Sequence, residues 1–256
     1  MPVSDAWIDF VAGWCSGAAS VIALQPVDTI LTRTQAGVLA WNTNHGVQAL
    51  WKGSSPMITA VPVQNALLMG GYGVGQKYAA QYAPNYKLTA VFIGGCTGGV
   101  LQSFLMAPVE GVKVSQQVQG SSLSNALQRF SLSRGLGATL LRDGIPHGVW
   151  FASYEVCKEW MMESQSMDGV TVPLVSGAVA AATAWAVGYP ADLIKTRIQA
   201  GSDTGILQTA QLIVKEGNGS YLALYRGFGM KLVRSVPGSM IGFTVYEFVK
   251  KQVESL

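Results

Sequence analysis

The decapeptide Pro190-Ala191-Asp192-Leu193-Ile194-Lys195-Thr196-Arg197-Ile198-Gln199 places a proline, an acid, two bases and a glutamine directly after a long apolar run. Proline removes one backbone hydrogen-bond donor and bends a helix. The charged residues then stand where an apolar helix would normally be leaving lipid. This stretch therefore predicts a bent helix with a polar end that follows an apolar segment.

Two earlier stretches repeat this pattern at a constant spacing. Pro26, Pro108 and Pro190 lie 82 residues apart (108 − 26 and 190 − 108). A period of this size in a chain of 256 residues predicts three copies of one unit, which we place at 1–82, 83–166 and 167–256. The residues that match the decapeptide are Asp28, Arg33 and Gln35 in the first repeat and Glu110, Lys113 and Gln117 in the second.

A second set of positions fixes the register of the repeats. Gly53, Gly135 and Gly227 each precede a tyrosine by 19 residues, and these tyrosines are Tyr72, Tyr154 and Tyr246. The third repeat has ten more residues between its proline and its glycine than the other two repeats. We expect the extra residues in the connection at about 201–221.

The composition favours a membrane protein. Charged residues make up 12% of the chain and hydrophobic residues 49%, and the chain has 30 glycines. Soluble domains carry about 25% charged residues. The net charge of +3 is too small and too dispersed to indicate nucleic-acid binding. Residues 1–10 include two aspartates and no arginine, so we expect any targeting information to be internal.

Six apolar segments, two in each repeat, are long enough to cross a bilayer. Several are interrupted by glycine, proline or charge, and the interruptions recur at equivalent positions. Glycines four residues apart let neighbouring helices approach closely. Broken helices in repeated units, with polar groups at mid-depth, are typical of a transporter. No nucleophile–base pair, metal-ligand spacing or nucleotide-binding loop indicates an enzyme, and the scattered Cys15, Cys96 and Cys157 are expected to be packing residues.

Taken together, these motifs resemble the mitochondrial carrier family (solute carrier family 25) over nearly the whole chain. Each repeat of that family has a proline–acid–base helix, a short surface helix, an aromatic–base–glycine turn and a second helix with an aromatic–acid–x–x–base end. The wording around Ala12-Gly13-Trp14, Gly94-Gly95-Cys96-Thr97-Gly98-Gly99 and Gln102 further resembles the carnitine/acylcarnitine and basic amino acid carriers. The resemblance implies an all-α inner-membrane protein, a monomer with six transmembrane helices in a pseudo-three-fold barrel, short matrix-side helices and no enzymatic activity.

The resemblance also implies two gates made of charged side chains. On the matrix side Asp28 would pair with Lys113 and Glu110 with Lys195, while Asp192 would lack a base because position 31 is Leu31. The glutamines Gln35, Gln117 and Gln199 would brace this ring. On the cytoplasmic side the ring would contain Tyr72 with Gln76, Tyr154 and Glu155 with Lys158, and Tyr246 and Glu247 with Lys250. The alternative for each acid–base pair is an ordinary solvated pair on a helix surface.

The substrate is predicted from the charges that the gates do not use. Arg142, Asp143 and Arg234 lie between the two rings, with Lys231 nearer one end, and ionised groups at mid-membrane normally line a pathway. Arg142 can bind a carboxylate with two donors, and Asp143 can accept from an ammonium group. By resemblance, an Arg–acid pair at this contact point is associated with amino acids and related zwitterions. Asn65 and Trp150 are further candidate contacts, the latter through a cation–π interaction.

Several alternatives remain open from the sequence alone. Arg142 and Asp143 could merely neutralise each other, Arg142 and Arg234 could serve a carboxylate carrier, and the chain could be a membrane scaffold that no longer transports. Beyond the substrate, the resemblance implies bound cardiolipin and no other cofactor. The expected lipid-binding residues, at the start of each even-numbered helix, are Lys52, Gly53, Gly135, Arg226 and Gly227.

Overall fold

The computed structural model describes residues 5–39, 47–82, 85–128, 135–163, 171–201 and 204–254; the side chains at 5–10, 236, 239, 240, 243 and 247 lie outside this description. The residues described contain helices and no strands, which confirms the all-α fold class. The helices are α1 (Asp5–Ala36), α2 (Ser54–Tyr82), α3 (Lys87–Gln119), α4 (Leu123–Gln128), α5 (Leu136–Glu163), α6 (Thr171–Gln199), α7 (Ile206–Glu216) and α8 (Phe228–Glu254).

Six long helices form a closed ring. Helices α1, α2, α3, α5, α6 and α8 contact one another in this order, and α8 packs back along α1. The shortest of them has 27 residues, about 40 Å of helix, which exceeds the ~30 Å hydrocarbon core of a bilayer. Within the part of the chain described, α3 and α6 are long and apolar enough to count as candidate membrane spans by length and composition alone.

Glycines bring α2, α3 and α5 into backbone contact. A Cβ atom added to Gly71 would lie 2.7 Å from the Cα of Gly98 on α3. On the other side of α3, a Cβ atom added to Gly95 would lie 2.6 Å from the carbonyl oxygen of His147 on α5. Only glycine permits such close approach of two helices. The three helices therefore form the most tightly packed wall of the ring.

The glycines that fix the repeat register also have a structural reason. Gly53, Gly135 and Gly227 have φ angles of +86°, +83° and +89°. Each lies just before the second long helix of its repeat, which is α2, α5 or α8. This left-handed conformation is easily adopted by glycine alone. At Gly227 a Cβ atom would also lie 2.8 Å from the hydroxyl of Tyr189. The glycines thus turn the chain from the surface connection into α2, α5 and α8.

The surface connections differ in length among the repeats. A 3₁₀ turn at Val47–Trp51 serves the first repeat and α4 serves the second, whereas the third has the 11-residue α7 and a 3₁₀ turn at Tyr221–Tyr225. Helix α7 buries Ile213 against a small core formed by Ala138, Leu193, Ile194 and Ile198. The ten extra residues of the third repeat therefore contribute to a packed helix outside the ring.

Candidate functional site

Of the acids that follow the three prolines, Asp28 and Asp192 are buried, and the side chain of Glu110 is 12% exposed. Lys113 Nζ lies 3.0 Å from Asp28 Oδ2, and Lys195 contacts Glu110. Each of these lysines belongs to the repeat that follows the repeat of its acid, as the resemblance implies. Since buried carboxylates are costly without a cation, these contacts hold α1 to α3 and α3 to α6.

The expectation that Asp192 lacks a basic partner is wrong. Position 31 is indeed occupied by a buried leucine, but Lys231 of α8 donates to Asp192 Oδ2 at 3.1 Å. Gln35 donates to the same oxygen at 3.0 Å. The repeat pattern did not assign Lys231 to the ring, because no equivalent base occurs in the other repeats. Met57 and Thr139 stand at this position there, four residues after the glycine.

Arg142 joins the acid ring instead of standing apart from it. Its Nε and a terminal nitrogen donate to both oxygens of Asp143, at 2.6 and 2.8 Å. The other terminal nitrogen donates to Glu110 at 2.7 Å and lies 3.5 Å from Asp192. Arg142 and Asp143 thus form the self-neutralising pair that the sequence left open, with Glu110 as an additional partner.

Arg234 occupies the equivalent position in the third repeat, and it pairs with Asp28 of the first repeat. The expectation that Arg142 and Arg234 are charges not used by the gate is therefore wrong for this conformation. Both arginines contact acids of the matrix-side ring, Glu110 and Asp28. The ion pairs form two clusters, which we call together the charged network: Asp28 with Lys113 and Arg234, and Glu110, Asp143 and Asp192 with Lys195, Lys231 and Arg142.

The three glutamines all bond to the preceding repeat, but only Gln35 touches an acid of the ring. Gln117 donates to the hydroxyl of Thr29 at 3.0 Å, and Gln199 donates to the carbonyl of Ala107 at 3.2 Å. The expected bracing of ion pairs is thus absent for these two glutamines in this conformation.

Two arginines that we had not assigned to the site connect the repeats below the glutamines. Arg33 Nε donates to the carbonyl of Gln117 at 2.9 Å, and Arg197 Nε donates to the carbonyl of Gln35 at 2.7 Å. Arg197 also forms a two-pronged contact with Glu216 of α7, at 2.7 and 3.1 Å. This hydrogen bond, more than the charge itself, holds the pKa of Glu216 below its ordinary value of 4.5.

The residues expected in the cytoplasmic ring make local contacts. Glu155 pairs at 2.7 Å with Lys87, which also binds Glu159, all within the second repeat. Lys250 lies 5.7 Å from the ring centre of Tyr246, and Gln76 packs against Gly94. The side chain of Glu247 falls outside the described residues. The ion pairs of Lys113 with Asp28, Lys195 with Glu110 and Arg234 with Asp28, which join different repeats, all involve acids of the matrix-side ring.

The remaining candidate contacts lie apart from Arg142 in their interactions. Trp150 stacks on Tyr154 with ring centres 5.5 Å apart, and it meets Phe151 edge to face; Tyr72 stacks on Phe151 at 4.3 Å. Asn65 is exposed on α2. The cation–π contact near the acid ring is made instead by Trp185, with Lys231 Nζ 3.9 Å from the ring centre.

A polar contact between α3 and α5 supports the position of Asp143. His147 Nδ1 lies 2.7 Å from the carbonyl oxygen of Asp143, and its Nε2 lies 2.9 Å from the amide nitrogen of Gln102. Because the carbonyl must accept from Nδ1–H, the other ring nitrogen accepts from the amide. His147 thereby ties α5 to the buried Gln102. Apart from the polarity of the two residues, no sequence feature predicts this pair.

The expected lipid-binding residues lie at the starts of α2, α5 and α8. Lys52 Nζ donates to the carbonyl of Gly120 at 2.7 Å, so its amine caps the end of α3. The backbone carbonyl of Arg226 accepts from the hydroxyl of Tyr189 at 2.7 Å. Gly53, Gly135 and Gly227 are the turn glycines described above. Across the part of the chain that the structure describes, no group of three or more His, Cys, Asp or Glu residues could hold a metal ion.

Comparisons with known proteins agree across the whole chain. The family model described as mitochondrial carrier protein matches residues 3–83, 84–165 and 167–255. Solute carrier family 25 member 47-B of Danio rerio is 30% identical over 94% of this chain and 97% of the relative. The mitochondrial arginine transporter BAC2 of Arabidopsis thaliana is 29% identical over 93% of this chain and 89% of the relative. The mitochondrial glycine transporter YMC1 of Saccharomyces cerevisiae is 26% identical over 95% and 90%, respectively.

Proposed function

This chain belongs to the mitochondrial carrier family, and on that premise we propose that it moves a small zwitterionic metabolite, an amino acid or a carnitine-like molecule. Members of the family are transporters of small molecules in the inner membrane and not enzymes, so the chain is an inner-membrane solute carrier. The proposal concerns the class of substrate and the residues that bind it.

The observation that carries the proposal is the adjacent Arg142 and Asp143 at the centre of the buried network. An arginine presents paired donors to a carboxylate, and an aspartate accepts from an ammonium group. In the structure the two side chains bond to each other, and Glu110 accepts from the other terminal nitrogen of Arg142. A zwitterion can replace both contacts at once: its carboxylate on Arg142 and its cationic group on Asp143. The names of two relatives, an arginine and a glycine transporter, support amino acids.

We further propose that the matrix-side network is a closed gate and that transport proceeds by alternating access. The support is that Asp28 and Glu110 pair with lysines of the following repeat, whereas Glu155 at the other end pairs within its own repeat. A substrate carboxylate that engages Arg142 would remove one cation from Glu110. Binding would therefore lower the cost of opening towards the matrix by the free energy that Glu110 loses.

Thermal unfolding of the purified carrier in detergent tests the substrate class. The ligands are arginine, glycine, carnitine, malate and ADP at equal concentration. A ligand that binds the folded state raises the free energy of unfolding by mass action, by about 2.7 kcal/mol when its concentration is 100 times its Kd, and Tm rises as a result. We expect a shift with at least one of the first three. A shift with malate alone would support a carboxylate carrier, and no shift in the whole panel would support a scaffold without transport.

The variant Asp143→Asn tests the role of the acid in uptake by liposomes. The amide keeps the size of the side chain but loses the charge that faces an ammonium group. We expect uptake of the zwitterion to fall by at least tenfold, the effect of about 1.4 kcal/mol, with little change in uptake of a simple carboxylate. An equal loss for both ligand classes would remove Asp143 from the binding site.

A carboxylate carrier is the second candidate, because Arg142 and Arg234 both point into the same network. Either arginine can exchange a ring acid for a substrate carboxylate, and a dicarboxylate could engage both. Arg234→Gln distinguishes the candidates. It should weaken binding of a dicarboxylate strongly, whereas a monocarboxylic zwitterion held by Arg142 and Asp143 should lose much less.

Cardiolipin is the proposed bound lipid, at the starts of α2, α5 and α8. The support is the free backbone N–H groups of the first helical turn after each turn glycine, because helix N-termini favour phosphate. Lys52 and Arg226 supply nearby positive charge. Stabilisation of the detergent-purified carrier by added cardiolipin, and no stabilisation by phosphatidylcholine, is the expected result.

A further inference from the structure

We propose that Lys231 is the third base of the matrix-side gate and replaces the lysine that the repeat pattern would place at position 31. The inference rests on the proposed gate, and it does not depend on the substrate class. Lys231 lies on α8, the second long helix of the third repeat. The third ion pair therefore lies within one repeat instead of between two repeats.

The contacts of Lys231 match those of the two lysines already in the ring. Its Nζ lies 3.1 Å from Asp192 Oδ2, and the two side chains are 10% and 5% exposed. Gln35 completes the same oxygen from α1. Among the described residues, the other ion pair of Asp192 is with Arg142 at 3.5 Å, and that arginine is already shared between Asp143 and Glu110. Lys231 is therefore the main counter-charge of Asp192.

The aromatic face of Trp185 keeps Lys231 at this acid. The ammonium group lies 3.9 Å from the ring centre, within the range of a cation–π interaction. Trp185 stands seven residues before Asp192 on α6, two helical turns away, so both partners of the lysine are on α6. A lysine that served only as a flexible substrate contact would not need two partners on the facing helix, the buried Asp192 and the half-buried Trp185.

Leu31 occupies the place beside this pair. It is 2% exposed, and its Cδ1 atom lies 3.3 Å from the position of a Cβ added to Gly227, four residues before Lys231. Residues 31 and 231 thus approach one region from α1 and α8. A base is needed from only one of them, because Arg142 already lies 3.5 Å from Asp192 and a third cation at the same carboxylate would be repelled by the other two.

This arrangement changes how the third repeat is joined to the first. Asp192 and Lys231 both belong to the third repeat, so their contact closes the boundary between α6 and α8. At the ring, the contacts between the first and third repeats include the neutral contact from Gln35 and the ion pair between Arg234 and Asp28. Movement of α6 away from α8 when the gate opens therefore breaks the ion pair of Asp192 with Lys231.

Relocation of the base tests the proposal in the full-length carrier in detergent. Lys231→Met should lower Tm, and Leu31→Lys alone should also lower it, because three cations, including Arg142, then face one acid. The double variant should unfold at a higher temperature than either single variant, because the base at position 31 takes over Asp192. A role of Lys231 in packing alone would make the two changes additive, and this result would overturn the proposal.

Accessibility of residue 31 reports on the gate itself. In a background without the native cysteines, the thiol introduced by Leu31→Cys is buried under the closed gate. We expect an impermeant methanethiosulfonate to label it about tenfold faster when Lys231→Met is added, the change produced by about 1.4 kcal/mol. Lys215→Met on the exposed face of α7 is the matched control and should leave the rate unchanged.

A neutral pair keeps the test decisive if Lys231→Met folds poorly. Lys231→Met combined with Asp192→Asn removes both charges, so no buried carboxylate is left alone. This variant should fold and still show fast labelling. Slow labelling in it would overturn the proposal. A failed ligand screen with fast labelling would count against the proposed substrate class and leave the role of Lys231 intact.

Discussion

Three glycines at the same position of the three repeats should respond differently to one substitution. Gly13, Gly95 and Gly177 lie 82 residues apart on α1, α3 and α6. A Cβ atom at Gly95 would lie 2.6 Å from the carbonyl oxygen of His147 and 2.8 Å from the Cα of Gly148. At Gly13 and Gly177 no atom outside the local helix lies within 4 Å of the added Cβ. We expect Gly95→Ala to destabilise the carrier and Gly177→Ala to stabilise it slightly.

The magnitude follows from the distance that the helices must move. Ordinary contact begins at 3.4 Å, so α3 and α5 must separate locally by about 0.8 Å around Gly95. A gap of this size removes roughly a quarter to a half of the dispersion energy of the facing atoms, and overpacking typically costs about 1–3 kcal/mol. Alanine gains about 0.5–1 kcal/mol over glycine in any helix. Since this gain applies to both variants, their free energies of unfolding should differ by about 1–3 kcal/mol.

Thermal unfolding in one detergent measures this difference. For a chain of this size 1 kcal/mol corresponds to about 2–4 °C, so Gly95→Ala should melt roughly 2–12 °C below Gly177→Ala. Gly13→Ala should behave like Gly177→Ala. Equal Tm values for all three variants would show that α3 and α5 do not meet backbone to backbone, and the position of His147 beside Asp143 would lose its structural basis.

Three further predictions test separate features. Gly227→Ala should cost more than about 1 kcal/mol because of its positive φ angle, whereas Gly229→Ala, with open space around its Cβ, should be neutral or stabilising; differential Tm measurements decide. Glu216→Gln should lower stability at pH 7 by at most about 1 kcal/mol. Because Arg197 depresses the pKa of this partly exposed acid, the stabilisation is full above pH 4.5 and is lost as the pH falls through the depressed pKa, so wild type and variant should converge in acid unfolding curves. Arg142→Lys keeps the charge but loses the two-pronged geometry, and uptake into liposomes should fall about 10–100-fold; unchanged kinetics would refute the assignment of Arg142 to the substrate.

The sequence predicts well what recurs in the repeats. The prolines, the acids and the cross-repeat lysines share one register, and a common register in three helices leaves few ways to assemble them. It predicted poorly what occurs once. Lys231 has no counterpart in the other repeats, and its reach to Asp192 depends on the rotation and packing of α8. In the same way, the equivalence of Gly95 and Gly177 in sequence gave no sign that one faces a helix backbone and the other faces open space. Such differences arise from the boundaries between neighbouring helices, which the repeat pattern does not encode.

The charged network at the centre of the barrel has an electrical consequence. Among the described residues, five cationic side chains meet four carboxylates, so the site carries one excess positive charge at ordinary protonation. A zwitterion leaves this charge unchanged, a cationic amino acid doubles it and a monocarboxylate cancels it. One elementary charge that crosses a membrane gains or loses about 2.3 kcal/mol per 100 mV. We therefore expect the potential across the inner membrane to act with different strength on the empty and the loaded carrier when the ligand is charged, and to act on both alike when it is a zwitterion.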